Sequence, residues 1–209
     1  MQIVEQILKG LEQLPFHTDN SLAERSAAFL EQLARWNKTF NLTAIRSVED
    51  MIGHHLMDSF SIAPFIKQSK IIDVGSGAGF PGLPLAMLYP DREFVLIDSN
   101  GKKTRFITQV VFNLEISNVE VVHSRAQDIV ERTFDHVLCR AVASLPDIAS
   151  MVTHLVADKG NVLAQKGKIG DDTTLPQNSP LKIQQIIDIN VPLVDGERCM
   201  VEMIHRKAS

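Results

Sequence analysis

The chain has 209 residues, 44% of them hydrophobic and 22% charged, which is room for one substantial core and a small extra lobe. Its two cysteines, Cys139 and Cys199, exclude a disulfide framework and a cysteine-based metal site, and no apolar run approaches the roughly 20 residues of a membrane span. A net charge of −4 and a pI of about 6.0 exclude capture of nucleic acid by the overall field, so a polyanion would need a local basic patch.

Residues 1–65 read as helical and 66–209 as one compact α/β domain. Residues 1–6 lack the charged opening and apolar centre of a signal peptide, which with the cysteine usage leads to the expectation of a cytoplasmic protein with no membrane partner. Ile3, Val4, Ile7, Leu8, Leu11 and Leu14 follow helical spacing up to Pro15. Ser21-Leu22-Ala23-Glu24 has the form of a capping box, and the helix it would start carries Leu22, Phe29, Leu30, Leu33 and Trp36 near one face. Asn41-Leu42-Thr43 spells a glycosylation acceptor, but a helix-end turn is the expected reading. Ser47-Val48-Glu49-Asp50 starts another helix, running through Met51, Ile52, His55, Leu56 and Ser59. Residues 1–65 are expected to form a helical cap on the α/β domain.

From Lys70 the pattern alternates. Strands are expected at 71–74, 94–97, 119–122, 134–139 and 161–164, with helices at 83–88, 102–114, 126–130 and 144–156 between them. That alternation predicts a mostly parallel sheet wound on both faces. Strand-like runs at 183–191 and 199–204 flank Asp195-Gly196, a hairpin signal. Residues 171–180 read as a mobile loop.

The stretch from Ile71 to Gly82 is strand, glycine loop, helix start. Its string is Asp73-x-Gly75-x-Gly77-x-Gly79, with Phe80 where a dinucleotide fingerprint would have its third glycine. The alternate-residue form is the one seen in methyltransferases that use S-adenosylmethionine. Asp98 ends the next strand, where an acid can accept from a ribose diol in either class. A structural glycine turn with a surface Asp is the plainer alternative.

At these residues the chain resembles the bacterial small-subunit rRNA guanine-N7 methyltransferase family, RsmG or glucose-inhibited division protein B. The matching segments are Trp36-Asn37-Lys38, Asn41-Leu42-Thr43, His55-Leu56-Met57-Asp58-Ser59, the glycine loop, Asp98-Ser99-Asn100-Gly101-Lys102-Lys103, Arg140-Ala141, Lys166-Gly167 and Asp195-Gly196-Glu197-Arg198. The resemblance implies a class I, Rossmann-like methyltransferase fold with a seven-stranded sheet. It implies S-adenosylmethionine as cofactor and N7 of guanine 527 in 16S rRNA, naked or in a small ribosomal subunit precursor, as acceptor. It places the cofactor at Gly75, Phe80, Ala126, Gln127 and Arg140, beside the loop residues Asp73, Gly77 and Gly79 and the acid Asp98. Family members often carry Arg before the His of His-x-x-Asp-Ser, where this chain has His54, one fixed positive charge fewer.

The residues suit that chemistry. Guanine N7 has an in-plane lone pair and no proton, so its methylation needs placement rather than a general base. Methylation of an exocyclic amine would predict Asp/Asn-Pro-Pro-aromatic after the fourth strand, where this chain has Arg140-Ala141-Val142-Ala143. Pyrimidine C5 methylation needs a cysteine nucleophile, and Cys139 sits in an apolar strand, expected buried and inert. Arg140 is expected to position cofactor or acceptor, or to pair with Asp73, Asp98 or another acid. Lys102, Lys103 and Arg105 open a helix against its macrodipole, which makes them RNA-contact candidates, with Lys166 and Arg198 beside them and Arg125, Lys168 and Arg206 as extensions. Of His54, His55 and Asp58 only His55 and Asp58 share a helical face, too few ligands for a metal site, so a hydrogen-bonded pair and no metal are expected. Phe80 and Tyr89 are the candidates to stack on the guanine. A dinucleotide-dependent oxidoreductase and a non-enzymatic RNA-binding assembly factor are the competing readings, and a monomer is expected.

Overall fold

The structure is a computed structural model, and it describes residues 2–140, 143–168 and 174–206. Ala141 and Val142 of the segment after Arg140, and residues 171–173 of the expected mobile loop, lie outside the described residues. Helices α1 (Gln2–Leu11) and α2 (Asn20–Phe40) open the chain. Then come α3 (Val48–Met51), a π-helical turn (Ile52–Met57) and α4 (Asp58–Phe60). Strands and helices then alternate as β1 (Lys70–Val74), α5 (Gly82–Leu88), β2 (Glu93–Asp98), α6 (Gly101–Asn113), β3 (Val119–His123), β4 (Phe134–Arg140) and α7 (Leu145–Val152). Strands β5 (Val156–Lys166), β6 (Leu181–Asp188) and β7 (Cys199–His205) close the chain.

Parallel pairing needs long crossover connections, and β1 to β5, separated by such connections, pair in parallel. The sheet order is β3-β2-β1-β4-β5-β7-β6, with β7 antiparallel to both neighbours. Strand order reverses beside β1, because β2 and β4 flank it, and the crevice beyond the carboxyl ends of β1 and β4 is where such sheets bind ligands. The glycine loop leaves β1 into that crevice and Arg140 ends β4 beside it.

Alternation along β1 divides two cores. Ile71 joins Phe29, Leu33, Leu56, Phe60 and Phe106, so the N-terminal helices share one core with a sheet face. Ile72 and Val74 face the other way, against Ile148 and Val152 of α7.

Several expected boundaries are corrected. α1 stops at Leu11, ahead of Pro15. The N-cap of α2 is Asp19, not Ser21: Asp19 is extended and its carboxylate accepts from Leu22 N–H at 2.8 Å. An ionised side chain there also complements the positive helix end, which a hydroxyl cannot do. At the other end Asn41 adopts a left-handed φ of 51° and bonds back to Asn37 O. The buried Asn37 amide accepts from Thr43 N–H and donates to Ile45 O, so Asn41-Leu42-Thr43 is a strapped helix-end turn. The strand expected at 161–164 is the longer β5, which starts at Val156 and shifts register against β4 between Phe134 and His136. The expected helix at 144–156 yields to a 3-10 turn after Val152, and the one at 126–130 is a 3-10 turn at Ala126–Asp128. Asp195-Gly196 does not make a tight hairpin. The strands part at Asp188 and Cys199, leaving a connection over 189–198.

Candidate active site

The loop after β1 is shaped by three glycines in the left-handed region, Gly75, Gly77 and Gly79, with φ of 70°, 61° and 96°. Two acids hold it. Asp73 lies beneath and its Oδ2 accepts from Gly82 N–H at 2.8 Å. Asp98 stands beside it, with Oδ2 accepting from Gly77 N–H at 2.9 Å and Oδ1 from Asn100 N–H at 2.8 Å. Gly82 has no room for a side chain, since a Cβ would lie 2.8 Å from Asp73 Oδ2 and 2.8 Å from Leu96 Cγ. Both neighbours are buried under the sheet core. Gly82→Ala is therefore expected to destabilise the fold by about 1–3 kcal/mol. A urea midpoint equal to the parent's would contradict it.

Asp73 is fully buried, and its Oδ1 has no hydrogen-bond partner. Burial pushes its carboxyl up to about 7, opposed by the Gly82 N–H and the Arg140 charge. The folded pKa stands above the ordinary 3.8, so the folded state holds a proton the unfolded chain gives up between about pH 4 and 7. Its contribution is present at low pH and lost as pH rises through 7. His55 runs the opposite way: pushed down to about 4 by burial and then by Arg140, it costs stability as pH falls from 6.5 through 4. Asp73→Asn should isolate the first effect. The variant's stability relative to the parent is expected to grow with pH across that window, at up to about 1.4 kcal/mol per unit. Denaturant titrations in a pH series check this, and a pH-independent difference would refute it.

A cavity of about 490 Å³ opens along the loop, lined among others by Gly75, Asp98, Lys103, Ala126, Gln127 and Arg140. Asp73, Gly77, Gly79 and Phe80 do not line it. They shape the loop from within. The ring of Phe80 lies 4.5 Å from that of His55, stacked, and 4.9 Å from that of Phe29. At 3% exposure among these rings it cannot stack on a base. Tyr89 is excluded by position, because its hydroxyl donates to Ala63 O and Arg92 lies over its ring, at the amino edge of the sheet.

A second cavity, about 460 Å³, adjoins the first across the Arg140 guanidinium and is lined among others by Ile45, His54, Asp58, Gln165, Lys166 and Arg198. Its geometry begins at the π-helical turn. There Asp58 N–H bonds five residues back to Gly53 O, and the His54 carbonyl accepts from Arg140 Nη1 at 3.1 Å. Asp58 takes Arg140 Nη1 on one oxygen at 2.8 Å and Arg198 Nε on the other at 3.4 Å. The expected His55–Asp58 pair is thus absent. His55 instead meets Thr43 Oγ1 at 2.9 Å, and Arg140 stands between it and Asp58. The acid partnering Arg140 is Asp58, not Asp73 or Asp98. Gln165 donates its amide N–H to Asp58 O, and its buried Oε1 has no hydrogen-bond partner. Lys166 Nζ donates to Ala143 O.

The basic candidates separate. Lys102 and Arg105 are exposed on α6, but Lys103 turns to Asp98, 3.7 Å away, and belongs to the first cavity, as does Arg125. Arg198 and Lys166 face the second cavity. Lys168 pairs with Glu197, and Arg206 binds Ser179 O at the opposite sheet edge. Cys139 is buried and burial drives its thiol pKa far up, which leaves no nucleophile. Among the described residues no group of three or more His, Cys, Asp or Glu could hold a metal. Residue spacing did not point to Gln165, Ile45 or the His54 carbonyl. The His-x-x-Asp-Ser, Lys166-Gly167 and Asn41-Leu42-Thr43 segments marked only their neighbourhood.

The fold has solved counterparts. A SAM-dependent methyltransferase from Aquifex aeolicus superposes with a TM-score of 0.55 at 15% identity, over 85% of this chain and 98% of that one. The glycopeptide N-methyltransferase MtfA, in complex with S-adenosylhomocysteine, gives 0.59 at 9% identity, over 73% and 87%. By sequence, ribosomal RNA small subunit methyltransferase G of Psychromonas ingrahamii is 38% identical over 97% of this chain and 99% of its own length. The protein of that name from Legionella pneumophila is 43% identical over 92% and 90%. Residues 23–201 match the GidB family, described as rRNA small subunit methyltransferase G, and the chain belongs to that family.

Proposed function

We propose that the protein transfers the methyl group of S-adenosylmethionine to N7 of a guanine in small-subunit rRNA, guanine 527 of 16S rRNA by resemblance. Family membership supports the reaction. The observation that carries it to the residues is a pair of adjoining cavities with the Arg140 guanidinium as their common wall. The first fits a nucleoside cofactor, with bare loop backbone at Gly75 and a carboxylate at Asp98. S-adenosylmethionine would supply a sulfonium-activated methyl group. Asp98 would take the ribose hydroxyls, and Ala126 and Gln127 would flank the adenine.

In this reading the second cavity holds the acceptor base. Arg140, Lys166 and Arg198 present donors for O6 or a phosphate. No side chain need remove a proton, because N7 carries none. His55, kept neutral by burial and Arg140, serves as packing and not as a base. Catalysis reduces to in-line placement in a half-enclosed site. No described helix is long and apolar enough to cross a membrane. Among the described residues the large apolar side chains left exposed, Phe40, Phe112, Val130, Ile186 and Leu193, lie on separate segments, which fits a monomer acting on ribosomal RNA in the cytoplasm.

The test is incubation of purified protein with S-adenosylmethionine and unmethylated small-subunit rRNA or subunits. N7-methylguanosine is then mapped by chemical strand scission at the modified base. A single modified guanine is expected, and no modification of either substrate by cofactor-competent protein would sink the proposal.

A further inference from the structure

The two segments of sequence that adjoin the site from outside are strongly one-signed. Residues 32–48 contain Arg35, Lys38 and Arg46 and no acid. Residues 99–114 contain Lys102, Lys103 and Arg105 and no acid. This is a chain in which 25 acids outnumber 21 basic residues, so the segregation is local.

The fold brings these segments together. Helices α2 and α6 run antiparallel: Asn113 donates to Gln32 Oε1 at 2.7 Å, and one turn further along α2 the Trp36 ring lies 5.5 Å from that of Phe106. The next turn of each helix holds Phe40 on α2 and Lys102 on α6, on the same faces and toward the carboxyl edge of the sheet. Phe40 continues the aromatic ladder outward, 5.2 Å from Trp36, and is 40% exposed. Its exposed part is open to a stacking partner.

Arg46 is held at the same end. Its Nη2 donates to Asn41 Oδ1 at 2.9 Å and its Nη1 reaches Asn37 O, the last-turn carbonyl of α2. That contact offsets the negative helix end, which would otherwise repel a phosphate. Ile45, one residue before Arg46, lines the second cavity. The surface is therefore continuous with the acceptor site.

We infer that this face, with Phe40 at its centre and Arg46, Lys102 and Arg105 around it, is a second RNA contact: Phe40 stacks on an unpaired base outside the acceptor cavity, and the cations take the phosphates on either side of it. An exposed aromatic ring on paired segments that carry cations and no acid matches single-stranded RNA, which offers a π-face and a charged backbone together. The inference rests on the proposed RNA methylation and adds to it the residues that grip the strand beside the target.

Fluorescence anisotropy with an unmethylated small-subunit rRNA fragment tests it, using Phe40→Ala, Phe40→Trp and the double variant Arg46→Gln with Lys102→Gln. Phe40→Ala should weaken RNA binding about 10-fold, the size of one base–aromatic stack, with an unchanged salt slope and unchanged S-adenosylmethionine affinity. Phe40→Trp should bind at least as tightly as the parent. The double cation variant should lower the slope of log K against log salt by about 1 to 2. Phe40→Ala binding within twofold of the parent overturns the inference while the parent's methylation of rRNA leaves the function standing. Lost affinity for assembled subunits with full affinity for the naked fragment also overturns it, since the face would then dock on a ribosomal protein. A parent that neither binds nor methylates RNA overturns both.

Discussion

Replacing Arg140 by alanine is expected to lower methyl transfer to small-subunit rRNA by about 10² to 10³-fold, with less than tenfold loss in cofactor affinity. The guanidinium lines both cavities and lies 5.5 Å over the Phe80 ring. It joins β4 to the π-helical turn through His54 O and Asp58. Alanine removes the wall between donor and acceptor, and a misplacement of about 1 Å in a positioning enzyme costs about 10²-fold. It also leaves Asp58, side chain 9% exposed, with Arg198 alone at 3.4 Å. Orphaning one side of a buried pair costs up to about 3–5 kcal/mol, and less here because the Arg140 side chain keeps 19% of its exposure. Arg140→Lys restores the charge but not the fork that meets His54 O and Asp58 together, so it should recover stability better than turnover. Single-turnover kinetics with saturating cofactor separate these effects. Full turnover with only a weakened cofactor Kd would make Arg140 a cofactor ligand and nothing more.

The sheet was legible because its signals are local. Ile71-Ile72, Phe94–Ile97 and Val119–Val122 are short apolar runs between helical spacings, and nothing in the tertiary structure opposes them. The glycine loop was legible for the same reason, since a left-handed backbone and close approach demand glycine at fixed offsets from a strand. What could not be read were the features that arise between segments distant in sequence. Asp58 meets Arg140 and Arg198 only because β4, the 189–198 connection and the cap converge. Lys103 counted as an RNA residue by its place at a helix start, yet Asp98, five residues away on the preceding strand, captures it. The π-helical turn leaves no mark in hydrophobic spacing, because Ile52, Leu56 and Met57 suit an α-helix equally well. The family resemblance implies a cofactor contact at Phe80, yet its side chain does not line the first cavity. Its aromatic neighbours, Phe29 and His55, come from the cap and cover it.

Asp98 carries the second large effect. Asp98→Ala is expected to raise the S-adenosylmethionine Kd by about 10²-fold while RNA affinity stays within twofold. The side chain is 7% exposed and holds Gly77 N–H and Asn100 N–H with separate oxygens, so it fixes both the glycine loop and the start of α6. Hydrogen bonds to a charged group contribute about 1.5–3 kcal/mol each, and the ribose hydroxyls would use the same carboxylate. Asp98→Asn keeps an acceptor for Gly77 but gives up the charge, so its Kd should fall between parent and alanine variant. Calorimetric titration measures all three, and an alanine variant within threefold of the parent would refute the role. Lys103→Ala distinguishes the loop's anchor from its competitor. At 3.7 Å its ammonium draws on the oxygen that holds Gly77 N–H. It also adds a positive charge beside a cavity proposed to take a cationic cofactor. Removing it should leave cofactor affinity equal or improved, whereas a residue that gripped RNA through that ammonium would lose RNA binding instead.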